Sequence, residues 1–234
     1  MGYTIKKELK KLSDEHFARD VKRYLKSPYE FYGIRVPELR VMAKRLHEEH
    51  DLRDFYRVFN KLWSSGFHEE MSLALYTLQL YEDDFDLSTW KFIKPRLKYM
   101  KTWDQVDNFS SQILGKILLK YPRMEREIMR LSDSDNIWLR RIAIVSTLPL
   151  IKQGNIKLTM QLAEKYVYDE NDYIQKATGW MLREAGKQKP EIVKRFILKH
   201  IHMPSIEFSY ATEIMKELRR VRQLKKLHAS VNKH

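Results

Sequence analysis

Seven glycines and seven prolines are all the common backbone breakers in this 234-residue chain. Apolar residues return every three or four positions along nearly its whole length, which is the spacing of a helix with one buried stripe. Leu39, Met42, Ala43 and Leu46 form one stripe. Met71, Leu75, Leu78 and Tyr81 form a second, and Ile113, Ile117 and Leu118 a third. No segment alternates cleanly between apolar and polar residues, as a half-buried strand would. The pattern predicts an all-α chain of about a dozen helices. Stops are expected near Ser27-Pro28, Ser64-Ser65-Gly66, Tyr121-Pro122, Gln153-Gly154-Asn155, Lys189-Pro190 and Met203-Pro204, where turn formers and prolines cluster.

A repeat lies within that pattern. Helices are predicted to begin near Phe67, Trp103, Trp138, Tyr173 and Glu207, at spacings of 36, 35, 35 and 34 residues. Shorter helices precede them, such as Leu87 to Met100 and Pro122 to Leu131. A two-helix unit of this length stacks into an α-solenoid. The missing tetratricopeptide consensus makes a HEAT-like unit the better fit. We therefore expect one HEAT-like repeat domain over residues 1–234, a curved right-handed solenoid with equivalent helices lining its concave side. Residues 219–234 are expected to form a basic final helix or tail, an amphipathic element whose charges add phosphate contacts at most.

Lysine and arginine number 44 against 31 acidic residues, a net charge of +13. Such an excess attracts polyanions, and nucleic acid is the expected partner. The absence of cysteine excludes a disulfide framework, a thiol nucleophile and a thiolate metal site. Residues Met1 to Leu12 are charged from position 6 onward and do not read as a signal peptide. The longest apolar run, Ile142 to Ile151, contains Ser146, Thr147 and Pro149. It falls far short of the roughly 20 residues of a spanning helix, so no membrane partner is expected.

Enzyme signatures based on glycine are missing: Gly33, Gly66 and Gly115 are isolated, and there is no Gly-x-Ser-x-Gly elbow. His47-Glu48-Glu49-His50 lacks the order of a zinc helix, and His200 and His202 read as exposed residues at a helix end. No metal or cofactor is expected. Three other segments stand out. In Lys101-Thr102-Trp103-Asp104-Gln105-Val106-Asp107, an indole and a carboxylate lie one helical turn apart on one face. In Ser132-Asp133-Ser134-Asp135-Asn136-Ile137-Trp138-Leu139-Arg140-Arg141, a helix cap precedes Arg141. In Ile174-Gln175-Lys176-Ala177-Thr178-Gly179-Trp180-Met181-Leu182-Arg183-Glu184, Trp180 follows a glycine that permits close approach. Singly, a helix tryptophan is usually core and an aspartate usually serves a salt bridge. Spaced by one repeat, they can converge on one concave surface.

These three segments resemble the AlkD family of bacterial DNA alkylation repair glycosylases. Tyr24-Leu25-Lys26 and Phe31-Tyr32-Gly33-Ile34-Arg35-Val36-Pro37-Glu38-Leu39-Arg40 resemble the family's opening. The resemblance extends from about Arg19 to Pro190. It implies HEAT-like repeats and hydrolysis of the glycosidic bond of N3- and N7-alkylated purines such as 3-methyladenine and 7-methylguanine, without base flipping. It further implies Asp107 as the catalytic carboxylate, Trp103 and Trp180 packed on the lesion sugar, and Arg141 holding backbone and carboxylate. Tyr24 becomes a DNA contact. Arg35, Arg40, Lys44, Arg140, Lys176 and Arg183 are the further expected contacts to alkylated duplex DNA. Thr102 departs from the family, where a second aromatic is expected. The implied protein is a cytoplasmic, nucleoid-associated monomer of bacterial type. The same superfamily also implies an alternative, a non-catalytic binder of bent or branched DNA.

Overall fold

The computed structural model describes residues 2–231, with side chains for residues 5–224. Met1, residues 232–234 and the side chains of Lys225 and Lys226, parts of the expected domain and basic tail, lie outside the described residues. The described residues are all-α, as the spacing predicts, with no strand and a single isolated bridge between Glu30 and Phe67. The chain divides into two compact units, residues 1–117 and 118–234.

The first unit holds α1 (Gly2–Lys11), α2 (Glu15–Leu25), α3 (Val36–Glu49), α4 (Leu52–Trp63), α5 (His68–Leu78), α6 (Leu87–Ile93) and α7 (Trp103–Phe109). The boundary falls inside α8 (Gly115–Lys120). The second unit holds α9 (Glu125–Ser132), α10 (Ile137–Val145), α11 (Leu148–Lys152), α12 (Lys157–Tyr166), α13 (Asp172–Gln188), α14 (Pro190–Lys199), α15 (Ser205–Ala211) and α16 (Lys216–Val231). Among the described residues these helices end within a few positions of every expected stop. The expected single helix from Leu87 to Met100 is split, because Pro95 has no amide hydrogen to continue the ladder and residues Lys94–Tyr99 tighten into a 3₁₀ helix.

Two kinds of helix alternate. α5 buries ten of its eleven residues, and α10 buries the run from Arg141 to Val145; a helix apolar on nearly all sides belongs to the interior. α4 is one-sided, burying Phe55, Val58, Phe59, Leu62 and Trp63. In the first unit α5 packs on α3, α4 and α7; in the second, α13 packs on α10, α12, α14 and α15. Each unit thus contains a row of interior helices flanked by amphipathic ones. The row helices α5, α7, α10, α13 and α15 have their N-caps at Phe67, Thr102, Asn136, Asn171 and Pro204, spaced 35, 34, 35 and 33 residues apart.

Polar groups fix the joints. In the first unit the buried Glu69 carboxylate accepts the amides of Tyr32, Gly33 and Ile34 at 3.2, 2.7 and 3.2 Å, while the Tyr32 hydroxyl donates to Glu70 at 2.7 Å. Gly33 has φ +81°, and a Cβ there would lie 2.0 Å from the Asp14 carbonyl oxygen; only glycine fits. In the second unit a Cβ on Gly179 would lie 2.5 Å from the Glu207 carbonyl oxygen, so that glycine lets α15 press onto α13. His200 is not the exposed end residue expected. It caps α14 but is buried, within 3.1 Å of Glu164 and 3.3 Å of the Tyr168 hydroxyl. His202 is exposed. In α16, Arg222 lies over Phe208 at 4.3 Å and donates to the Met203 carbonyl at 2.9 Å.

Glu207 on α15 is fully buried, and neither carboxyl oxygen has a hydrogen-bond partner. Burial, with the nearby Asp169 charge adding, pushes its pKa up to about 9. The folded chain therefore keeps a proton that the unfolded chain releases. Stability from this site is complete below the ordinary value of 4.5 and is lost as pH rises from there to about 9. Glu207→Gln, a neutral isostere, is expected to melt several degrees above the parent at pH 8 and close to it at pH 4. An equal shift at both pH values would show that ionisation is not the cause.

Candidate nucleic-acid interface and active site

Trp103 opens α7 and Asp107 lies one turn further on; both are half-buried. Directly after them the helix widens into a π turn over Ser110–Leu114, in which Ser111 Oγ donates to the Asp107 carbonyl at 2.7 Å. Such turns recur at functional sites. Tyr24, on the last turn of α2, is 71% exposed and meets the Trp103 indole edge-on at 5.9 Å. α7 is seated on α5 by a buried polar cluster. His68 Nε2 lies 3.1 Å from Asp104 and 3.3 Å from Thr102 Oγ1, while Gln105 donates to the His68 carbonyl at 3.1 Å and to Ser72 at 3.2 Å. Burial alone would raise the Asp104 pKa. His68, the Thr102 hydroxyl and the Gln105 amide together hold it below the usual carboxylate value. Thr102 is fully buried in this cluster, where a hydroxyl is useful and an aromatic ring would leave His68 one partner short.

The same unit brings two expected DNA contacts together. Arg40 and Lys44, one turn apart on α3 and both exposed, line a cavity of about 350 Å³ with Tyr76, Gln79, Asn108 and Gln112. The Arg40 guanidinium lies 5.8 Å from the Tyr76 ring. Burial raises the Tyr76 pKa, with Asp104 adding and Arg40 opposing. Asn108 donates to Gln79 at 3.0 Å, and its own side-chain oxygen is buried without a partner. Arg35 is the N-cap of α3 and covers the Phe17 ring at 4.4 Å.

In the second unit Trp180 and Lys176 share a face of α13 and are half-buried. Arg141 is 6% exposed and donates to the Tyr173 carbonyl, tying α10 to the first turn of α13. Arg140 pairs with Asp169 at 3.3 Å. Arg183 is engaged by Glu184 at 3.0 Å and by Glu213, so its charge is largely spent inside the protein.

Counting from each N-cap exposes an order. The fifth residue is Arg40, Ser72, Asp107, Arg141 and Lys176 along α3, α5, α7, α10 and α13; the ninth is Lys44, Tyr76, Ser111, Val145 and Trp180. Six of the eleven expected site residues occupy these two positions, which lie one turn apart on one helix face. Sequence reading missed the seating cluster of His68, Asp104 and Gln105. Its signal was polar residues in the first turn of helices that are otherwise apolar all round. Among the described residues no group of three or more His, Cys, Asp or Glu side chains could hold a metal, and no helix is long and apolar enough to cross a membrane.

The Glu69 anchor generates a direct test. Glu69→Ala leaves three buried amides without an acceptor, and losing charged hydrogen bonds of this kind costs about 2–4 kcal/mol. The variant is expected to melt well below the parent, with the fluorescence of Trp103 altered as the Tyr24 segment loosens. An unchanged melting temperature would remove Glu69 from its anchoring role.

The model of the DNA alkylation repair enzyme family matches residues 5–215. No curated protein matches the chain. Among solved structures, a predicted DNA alkylation repair enzyme from Enterococcus faecalis is similar at a TM-score of 0.76 and 22% identity, over 86% of this chain and 95% of that one. The smu.31 protein of Streptococcus mutans follows at 0.59 and 15% identity, over 85% and 96%. AlkD2 of the same species is similar at 0.58 and 16% identity, over 85% and 95%. These likenesses share the all-α fold, and the family match leaves out α16 beyond residue 215. With its family model covering most of its length, the chain belongs to the DNA alkylation repair enzyme family.

Proposed function

We propose that this protein is a DNA glycosylase that releases cationic N3- and N7-alkylated purines, 3-methyladenine and 7-methylguanine among them, from duplex DNA without base flipping. The observation that carries the reading is the shared register: Asp107, Arg141 and Lys176 fall at one position of successive row helices, with Trp180 a turn beyond Lys176. Family membership and the net charge of +13 agree with it.

An N3- or N7-alkylpurine already bears a positive charge, so it leaves as a neutral base and needs no general acid. Breaking the C1′–N bond moves positive charge onto the deoxyribose. The Asp107 carboxylate stabilises that oxocarbenium character and orients the water that attacks C1′. The water's oxygen joins C1′ and its extra proton passes to Asp107 or solvent. The indoles of Trp103 and Trp180 stabilise the same cation through their faces, by about 0.5–2 kcal/mol each. Arg141 positions backbone and carboxylate. Tyr24, Arg35, Arg40, Lys44, Arg140 and Lys176 supply contacts that place the duplex without reading its sequence; Arg183 contributes only if it leaves its carboxylates. On this reading the protein acts as a cytoplasmic, nucleoid-associated monomer, with residues 1–234 one HEAT-like repeat domain.

One observation favours a second reading. Arg141 is buried against the Tyr173 carbonyl, which suits a structural tie in a non-catalytic binder of bent or branched DNA. Release of base separates the two. Asp107→Asn removes the anion but keeps its shape. It is expected to lower single-turnover release of 7-methylguanine by at least about 100-fold, the usual cost of one electrostatic stabiliser, while leaving DNA affinity within about twofold. No release by the parent protein, with salt-sensitive DNA binding intact, would establish the second reading instead.

A further inference from the structure

The segment before Trp103 carries a second aromatic surface that the catalytic reading does not use. Tyr99 ends the 3₁₀ helix Lys94–Tyr99 and is 49% exposed. Lys98 lies over its ring at 5.1 Å. Tyr29 donates its hydroxyl hydrogen to the Tyr99 carbonyl, and burial, with Tyr99 adding, raises the Tyr29 pKa. The loop that carries Tyr29 is itself held: the Tyr29 amide donates to Ser27 Oγ at 3.1 Å, and residue 30 pairs with Gly66 and His68 at 3.1 and 2.9 Å. Tyr24, five residues earlier, rests on Trp103, four residues beyond Tyr99. An exposed ring in the first unit is thus backed by fixed backbone on both sides.

The lysines of the adjoining segments are free to meet phosphate. Lys26, Lys98 and Lys101 are exposed, and none has a carboxylate partner among the described residues. The nearby acids are occupied, Glu30 by Lys22 at 2.8 Å and Asp104 by His68 at 3.1 Å. An exposed aromatic ring with an ammonium group over it, and unpaired lysines close to it in sequence, is the chemistry that takes a nucleobase face together with its phosphates. A peptide partner would need hydrogen-bonding edges or an apolar groove, and a lipid surface would need a broader apolar face.

We propose that Tyr99, whose ring the Lys98 ammonium covers at 5.1 Å and leaves for a phosphate as the base settles, is a stacking platform for an unpaired nucleobase. The site differs from the one that touches the lesion sugar. The inference rests on the reading of the protein as a DNA enzyme. Because the backbone that carries the ring is held before binding, less conformational freedom is lost when a base settles on it. The platform therefore favours duplexes in which a base has lost its partner, such as the nucleotide facing an abasic site, over fully paired ones.

The test uses the full chain and two duplexes of one length. One is fully paired; the other carries 2-aminopurine opposite an abasic-site analogue. Anisotropy reports affinity, and 2-aminopurine emission reports stacking in the same titration. The parent protein is expected to quench the probe on binding. Tyr99→Ala should abolish the quenching and weaken binding of the abasic duplex by about 5- to 100-fold, the range for loss of one aromatic stack, with the paired duplex unchanged. Tyr99→Phe should quench like the parent. Parent binding without quenching, or a Tyr99→Ala loss equal for both duplexes, would overturn the platform while leaving the glycosylase reading in place. Failure of the parent to bind either duplex would overturn both. Melting curves that match the parent show that the exposed ring was removed without unfolding.

Discussion

Everything that the first unit presents to a ligand hangs on the first turn of α5. Three consecutive polar residues there, His68, Glu69 and Glu70, are buried, an arrangement that water would normally oppose. Each is repaid by a partner on a different neighbour. Glu69 collects the amides of residues 32–34, Glu70 takes the Tyr32 hydroxyl, and His68 holds Asp104. The loop that follows α2 is thereby fixed to α5, and α7 is fixed to α5 from the other side. Tyr24 and Trp103 meet because both of their supports are nailed to the same turn. Precision of this sort is what a site built on helices needs, since a reacting group displaced by about 1 Å can cost 100-fold in rate.

The interior rows explain why chemistry gathers at the fifth and ninth positions. A row helix buried on nearly all sides has only a narrow strip left for anything else. Successive residues on that strip are four apart, so Lys176 is followed by Trp180, and the same spacing puts Lys44 after Arg40 on the one-sided helix α3. Cations fill three of the five fifth positions, and Asp107 is the one carboxylate among them. A lone anion on a strip that otherwise recruits phosphate works against binding. On the proposed reading, Asp107 answers the positive charge that develops on the sugar during the reaction.

Much of this was legible in the sequence, for identifiable reasons. The row starts were readable because a Trp or an Asx cap marks the first turns of α7, α10 and α13. The Trp103 and Asp107 pairing followed from helical spacing alone. What escaped were interactions between residues about 35 positions apart, such as His68 with Asp104 or Tyr32 with Glu70. They depend on which turns face one another, which no local pattern records. Pro95 was visible as a breaker, yet the helix was read through it, because the apolar spacing continues across the 3₁₀ segment. Burial of Arg141 was also hidden: an arginine on a cationic chain reads as surface until the Tyr173 carbonyl is placed beside it.

The proposed reaction places its own demand on a site built from helix faces. A cleft without a deep pocket cannot exclude water from a reacting base. Acid catalysis would be weak there, because a carboxylic acid needs a dry environment to stay protonated near neutral pH. A substrate that is cationic before it arrives avoids the requirement. It brings its own leaving-group activation, and the protein need only answer the charge that develops on the sugar. On the proposed reading, the Asp107 carboxylate would answer that charge. On the same reading, a helix face that carries a carboxylate suits an alkylated purine, which needs no proton.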